Sequence, residues 1–94
     1  MNFEAFQQSL TTNTPVADSN VYLQSLWHDA KGDWEQAHTL IQDVSDKQAA
    51  WIHAYLHRRE GDVWNANYWY TKADKRMPGY SLEQEWEEIV KAML

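Results

Sequence analysis

The chain has 94 residues, a formal net charge of −6, no cysteine, six tryptophans and five tyrosines. This length implies one domain that buries roughly 60–65% of the surface its unfolded chain exposes, a thin core that large aromatics can thicken at about 150–250 Å² each. The lack of cysteine excludes a disulfide scaffold and a thiolate metal site, and the acidic balance argues against nucleic-acid partners, whose phosphates need Lys and Arg.

The opening stretch MNFEAFQQSL has neither a basic region nor an apolar core of signal length, and no apolar run reaches membrane length. Neither export nor membrane insertion is expected, and the cytoplasm is the default location. Phe3, Phe6 and Leu10 stand at i, i+3 and i+7, which predicts a short helix over residues 2–11. The stretch TTNTPVADS at 11–19 is rich in residues that hydrogen-bond their own backbone, and Pro15 disfavours helix at Thr14, so it reads as a linker. A second helix is expected over 20–31, with Leu23, Leu26, Trp27 and Ala30 as its apolar stripe and Gly32 as its left-handed cap.

Asp33 caps a third helix whose apolar face is Trp34, Ala37, Ile41 and Val44, and Ser45 with Gln48 suggests a cap for a fourth over 46–60. In that fourth helix Trp51, Ala54, Tyr55 and Leu56 spread around the circumference, which predicts burial on two sides, with Gly61 as the stop. Asp62 caps a fifth helix carrying Ala66, Trp69, Tyr70 and Ala73, which the Met77-Pro78-Gly79 turn follows. Ser81 with Gln84 opens a last, amphipathic helix with the stripe Leu82, Trp86, Ile89, Val90 and Met93. The basic residues Arg58, Arg59, Lys72, Lys75 and Arg76 lie in or just after the centre of the chain, and Glu83, Glu85, Glu87 and Glu88 crowd its last segment, so contact between these regions is expected, within one chain or between two.

An internal repeat stands at an offset of 29 residues: LWHDAKGDWEQAH (26–38) over YLHRREGDVWNAN (55–67) matches His28 with His57, Gly32 with Gly61, Asp33 with Asp62 and Ala37 with Ala66. Each copy reads helix, Gly-Asp turn, helix. One helical hairpin cannot bury both faces, so two should stack, with the outer helices closing the ends. The fold expected is therefore all-α: a single domain over 1–94, with an N-terminal helix and linker (1–19), two stacked hairpins (20–79) and a C-terminal helix (80–94).

Over 20–79 the residues resemble the tetratricopeptide family. Gly61, Ala66, Tyr70, Ala73 and Pro78 fall at the spacing of that family's turn glycine, small residue, aromatic, second small residue and terminal proline. Ala37, Ile41 and Val44 follow Gly32 in the same way, and Ser25 and Ala54 supply the small residue seven positions before each glycine. Ala49 stands where the first copy lacks the proline, His28 and His57 stand where the family usually places Tyr, and His53 where it prefers Leu. The period is also shorter than the family's, about 34 residues. These departures bear on the regularity of a superhelix, not on the hairpin. The string HAYLHRREGDVWNANYWY also resembles a stretch in a group of small uncharacterised bacterial and fungal proteins, a likeness that implies no function.

The tetratricopeptide resemblance implies protein binding by an inner face made of the first helix of each hairpin. That places Tyr22, Leu26 and Asp29 beside Gln48, Trp51, Tyr55 and Arg58, aromatics with an Arg able to clamp a carboxylate. The competing expectation is that the C-terminal helix fills this groove, since Trp86 and Ile89 need a partner surface. Trp64, Tyr68 and Trp69 could stack on a sugar or nucleobase, although Trp69 is expected to pack inside with Trp64 or Tyr68 half exposed; aromatics left outside also suggest a homodimer.

A second class of reading rests on histidine. His53 and His57 are at i, i+4 with Glu60 on nearly the same side, and the repeat places His28 on the neighbouring hairpin, so a metal or acid/base centre of His28, His53 and His57 with Asp29, Glu60 or Asp62 can be drawn. The plainer reading, imidazoles at the core edge bonded to a tyrosine or a backbone carbonyl, is favoured. No HExxH, phosphate loop or nucleophile elbow is present. The function expected is thus a protein or peptide interaction module binding through an aromatic face, with no cofactor; the alternative is a small metal-dependent or acid/base enzyme centred on His53 and His57.

Overall fold

A computed structural model describes residues 1–94 as six α-helices with no strand: α1 Phe3–Ser9, α2 Val21–Ala30, α3 Trp34–Ile41, α4 Lys47–Arg59, α5 Val63–Lys72 and α6 Leu82–Met93. Every helix starts on Asn, Asp or Ser whose side chain accepts a backbone N–H three residues on: Asn2, Asn20, Asp33, Asp46, Asp62 and Ser81. Those acceptors satisfy N–H groups that a helix start leaves without partners. The cap of α4 is Asp46, one residue beyond the Ser45 expected, because Asp46 Oδ1 reaches the Ala49 N–H at 2.8 Å. Helix α3 stops at Ile41, so Val44 sits in the following turn, where it still packs on the core.

The two Gly-Asp turns are built alike. Gly32 and Gly61 have φ of +85° and +79°, and the N–H of the next residue reaches back to His28 O and His57 O, both at 2.9 Å. The left-handed residue lets the chain reverse while the last carbonyls keep donors, and glycine adopts it without a Cβ clash. Helix α5 ends the same way on Asp74, φ +61°, with the Lys75 N–H on Tyr70 O at 2.9 Å.

Helix α4 is the centre. Residues Ala49 to Leu56 are all buried, because α2 and α6 cover one side of the helix while α3 and α5 cover the other. A helix apolar all round must be enclosed, and this one is. Helix α6 lies across α2 and α4 with Trp86, Ile89 and Val90 inward, and the Trp86 indole donates to Leu26 O at 3.0 Å. Helix α1 packs on α6, Phe3 and Phe6 each 5.9 Å from the Trp86 ring centre. Its far end is tied to α2 by Lys31 Nζ on Leu10 O and Thr12 O at 2.7 and 3.0 Å. The radius of gyration, 12.3 Å, equals the value of about 12 Å for a compact chain of this length, so α6 folds back instead of extending a solenoid. No helix is long and apolar enough to cross a membrane.

Candidate functional site

The inner face expected to bind a partner is occupied by the chain itself. Leu26 and Tyr55 are fully buried, and Trp51 nearly so, under α6. Trp51 Nε1 and Arg58 donate to Glu85 at 3.2 and 2.9 Å, and the Tyr70 hydroxyl donates to the same carboxylate at 2.6 Å. Arg58 also donates to Tyr80 O, so both of its terminal nitrogens are engaged within the chain. Asp29 is buried with Tyr55, whose hydroxyl donates to Asp29 Oδ2 at 3.0 Å and accepts from Arg59 at 2.9 Å. Its other oxygen makes no hydrogen bond, although Arg59 Nε lies 3.1 Å away at an angle that leaves an ion pair only. Burial pushes the Asp29 carboxyl above its ordinary range, while Arg59 and the Tyr55 hydroxyl pull it back. Tyr22 bonds Asp46 at the rim, and Gln48 is exposed.

Of the groove of Tyr22, Leu26, Asp29, Gln48, Trp51, Tyr55 and Arg58, the part made by Leu26, Asp29, Trp51, Tyr55 and Arg58 is thus corrected to an interface covered within the chain, with Tyr22 and Gln48 left at its edge. The reason is competition for cover. The stripe of α6 buries Ile89 and Val90 fully here, and Glu85, at 0% exposure, would be an uncompensated buried charge without Arg58. The contact expected between the basic centre and the acidic last segment is this one, made within the chain.

The opposite side of α4 carries the histidines. His53 and His57, one turn apart, face α3 and α5, and His38 of α3 meets them there: His38 Nε2 and His53 Nε2 are 2.9 Å apart, and one nitrogen from each of the three rings lies within 4.8 Å of the others. Trp34, one turn before His38, stacks on it at 4.8 Å and 11°, its indole anchored to Leu56 O at 2.8 Å. Trp69 of α5 stacks on His53 at 3.9 Å and 16°. His57 Nδ1 lies 3.2 Å from Glu60 Oε1 and 4.0 Å from Asp62 Oδ2. Burial, reinforced by its two histidine neighbours, lowers the His53 pKa to about 4; His38 is lowered for the same leading reason and by His57.

The histidine set expected from sequence is corrected in one member. His28 has its ring edge-on to Trp27, 5.1 Å away, and stays outside the group; His38 takes its place. The overlooked signal was local: Trp34 and His38 stand at i, i+4, so an aromatic and an imidazole share one side of α3.

A third surface is apolar and open. Val63, Trp64 and Tyr68 of α5 are 54, 76 and 46% exposed, the two rings stacked at 6.2 Å and 14°. Lys72 completes the row, its ammonium 5.2 Å from the Tyr68 ring centre. Beside it a concavity of about 370 Å³ opens between Val44, Asp46, Lys47, Ala50, Trp69 and Lys72.

Fold and surfaces together define an all-α chain with a covered inner face, a cluster of three histidines and one exposed aromatic row. Compared with known protein families, curated proteins and solved structures, the chain matches none.

Proposed function

We propose that this protein is a peptide-binding module of the tetratricopeptide-like kind that uses the outer face of α5 in place of the inner face. The observation that carries this reading is Trp64, 76% exposed on a helix that also presents Val63 and Tyr68 outward. An exposed Trp-Tyr pair is the composition of a binding hot spot, and contiguous apolar patches left on a monomer's surface are often functional. Three exposed side chains are few against the roughly 20–30 residues that each partner contributes to a stable complex, which suits a short segment bound weakly better than an obligate dimer. Lys72, exposed, ends the row with its ammonium 5.2 Å from the Tyr68 ring, so the segment favoured is acidic with apolar anchors. The neighbouring concavity beside Trp69 offers room for one such anchor.

Selection of random peptides displayed on phage against the purified protein tests this. Acidic peptides with aromatic or aliphatic anchors should be enriched, and Trp64→Ser should abolish the enrichment. Equal enrichment by the variant would remove α5 as the surface. Sedimentation of the protein alone addresses the homodimer: a wild-type dimer that Trp64→Ser dissociates would make a second copy the occupant and overturn the peptide reading.

A further inference from the structure

The side of α4 that faces α3 and α5 gathers three of the chain's four histidines, and nothing in the peptide-binding reading uses them. We infer that His38, His53 and His57 form a three-nitrogen site for a borderline divalent cation of the zinc class. The two Nε2 atoms 2.9 Å apart sit where two ligands of one ion would sit. Nitrogens bound at about 2.0–2.1 Å on a tetrahedral ion are about 3.3 Å from each other, so the pair opens by a few tenths of an ångström. His57 has to close a gap of at most 4.8 Å, and its side chain, 12% exposed, is more open to solvent than the buried His53.

The surroundings prepare the rings. Trp34 and Trp69 stack on His38 and His53 and hold their planes. Glu60 Oε1 lies 3.2 Å from His57 Nδ1, and the tautomer that donates Nδ1–H to this carboxylate keeps the lone pair of Nε2 for an ion. A carboxylate behind a histidine is the usual support of a metal-bound imidazole, where it fixes the tautomer and strengthens the donor. In the metal-free protein the His38–His53 contact is a hydrogen bond with one shared N–H. The cation takes the place of that hydrogen: the proton leaves Nε2 and the same ring takes one at Nδ1, so the imidazole stays neutral and no net proton is released. Three imidazoles select Zn²⁺, Ni²⁺ or Cu²⁺ over Mg²⁺ or Ca²⁺, which prefer oxygen. The second possible group, His57, Glu60 and Asp62, has one nitrogen and two carboxylates of which Glu60 is exposed, and it competes for the same imidazole.

The test is titration of tag-free protein, stripped with EDTA, with Zn²⁺ in competition with a chromogenic chelator. One equivalent should bind with a dissociation constant in the micromolar range or below and should raise the thermal midpoint. His57→Gln should weaken binding by about tenfold or more, Glu60→Gln should weaken it less, and His28→Gln should change nothing. His57→Gln is chosen because its side chain is less buried than that of His53; His53→Gln is added with its helical signal checked by circular dichroism. Failure to bind one equivalent, unchanged affinity in His57→Gln, or an equal loss in His28→Gln would each overturn the assignment. Peptide selection with Trp64→Ser is unaffected by any of these outcomes, so the two readings fail separately.

Discussion

Replacement of Glu85 by Leu is expected to be among the most damaging single changes in the chain. Glu85 is at 0% exposure and accepts from the Tyr70 hydroxyl at 2.6 Å, Arg58 at 2.9 Å and Trp51 Nε1 at 3.2 Å. Leucine fits the volume approximately but leaves two neutral donors and one largely buried guanidinium, 16% exposed, without a partner. Breaking a buried pair in this way costs about 3–5 kcal/mol, against a total of about 5–14 kcal/mol for a chain of this size. At about 4–8 °C per kcal/mol the midpoint should fall by at least about 12 °C, and the urea midpoint should fall with an unchanged slope. The sharper expectation concerns Glu85→Leu combined with Arg58→Met. It removes the orphaned charge and should be more stable than Glu85→Leu alone, although it carries more substitutions. Far-UV circular dichroism in urea gives both numbers. A loss below about 1 kcal/mol for the single variant, the range of exposed ion pairs, would refute the burial argument, and a double variant less stable than the single would refute the charge argument.

The Tyr70 hydroxyl is pushed above its ordinary pKa by burial first, then by its bond to Glu85 and that group's charge. Its folded pKa exceeds the unfolded value of about 10, so its contribution is whole below that pH and is lost above it; between about pH 10 and 11 the wild type should lose up to about 1.4 kcal/mol more than Tyr70→Phe, and equal slopes would sink the idea. Asp74→Gly should stabilise by about 0.5–1 kcal/mol in thermal melts, because residue 74 closes α5 at φ +61° and its ion pair with Lys47 is exposed; destabilisation would contradict the strain. Trp86→Ala should cost about 3–5 kcal/mol while Trp64→Ser stays within about 0.5 kcal/mol in the same denaturation assay, and similar losses would mean that α5 is covered.

Much of the architecture was legible in short stretches, since the features that mark it are local. A Gly-Asp pair after a helical stripe calls for a left-handed turn and an N-cap together, and both turns, at Gly32 and Gly61, have that form. The apolar run around α4 demanded enclosure on two sides. The slip from Ser45 to Asp46 at its cap was small, because both side chains can accept and only the path of the backbone chooses between them.

The sites depended on which helix covers which face, and that is a competition among distant surfaces. Tyr55 stands two residues from both His53 and His57, roughly 200° around α4, so the faces are opposed. Helix α2 docks on the Tyr55 side, where Asp29 meets the tyrosine hydroxyl, and this carries His28 away from the other histidines. Helix α3 takes the histidine side and brings His38. The stripe of α6 announced that it needed a partner but not which one; burial of Glu85 against Arg58, Tyr70 and Trp51 decided it and closed the inner face. Helical period assigns each residue to a side of its own helix from sequence alone, whereas the neighbour of that side is chosen by the free energy of the whole packed core, which only the tertiary structure contains.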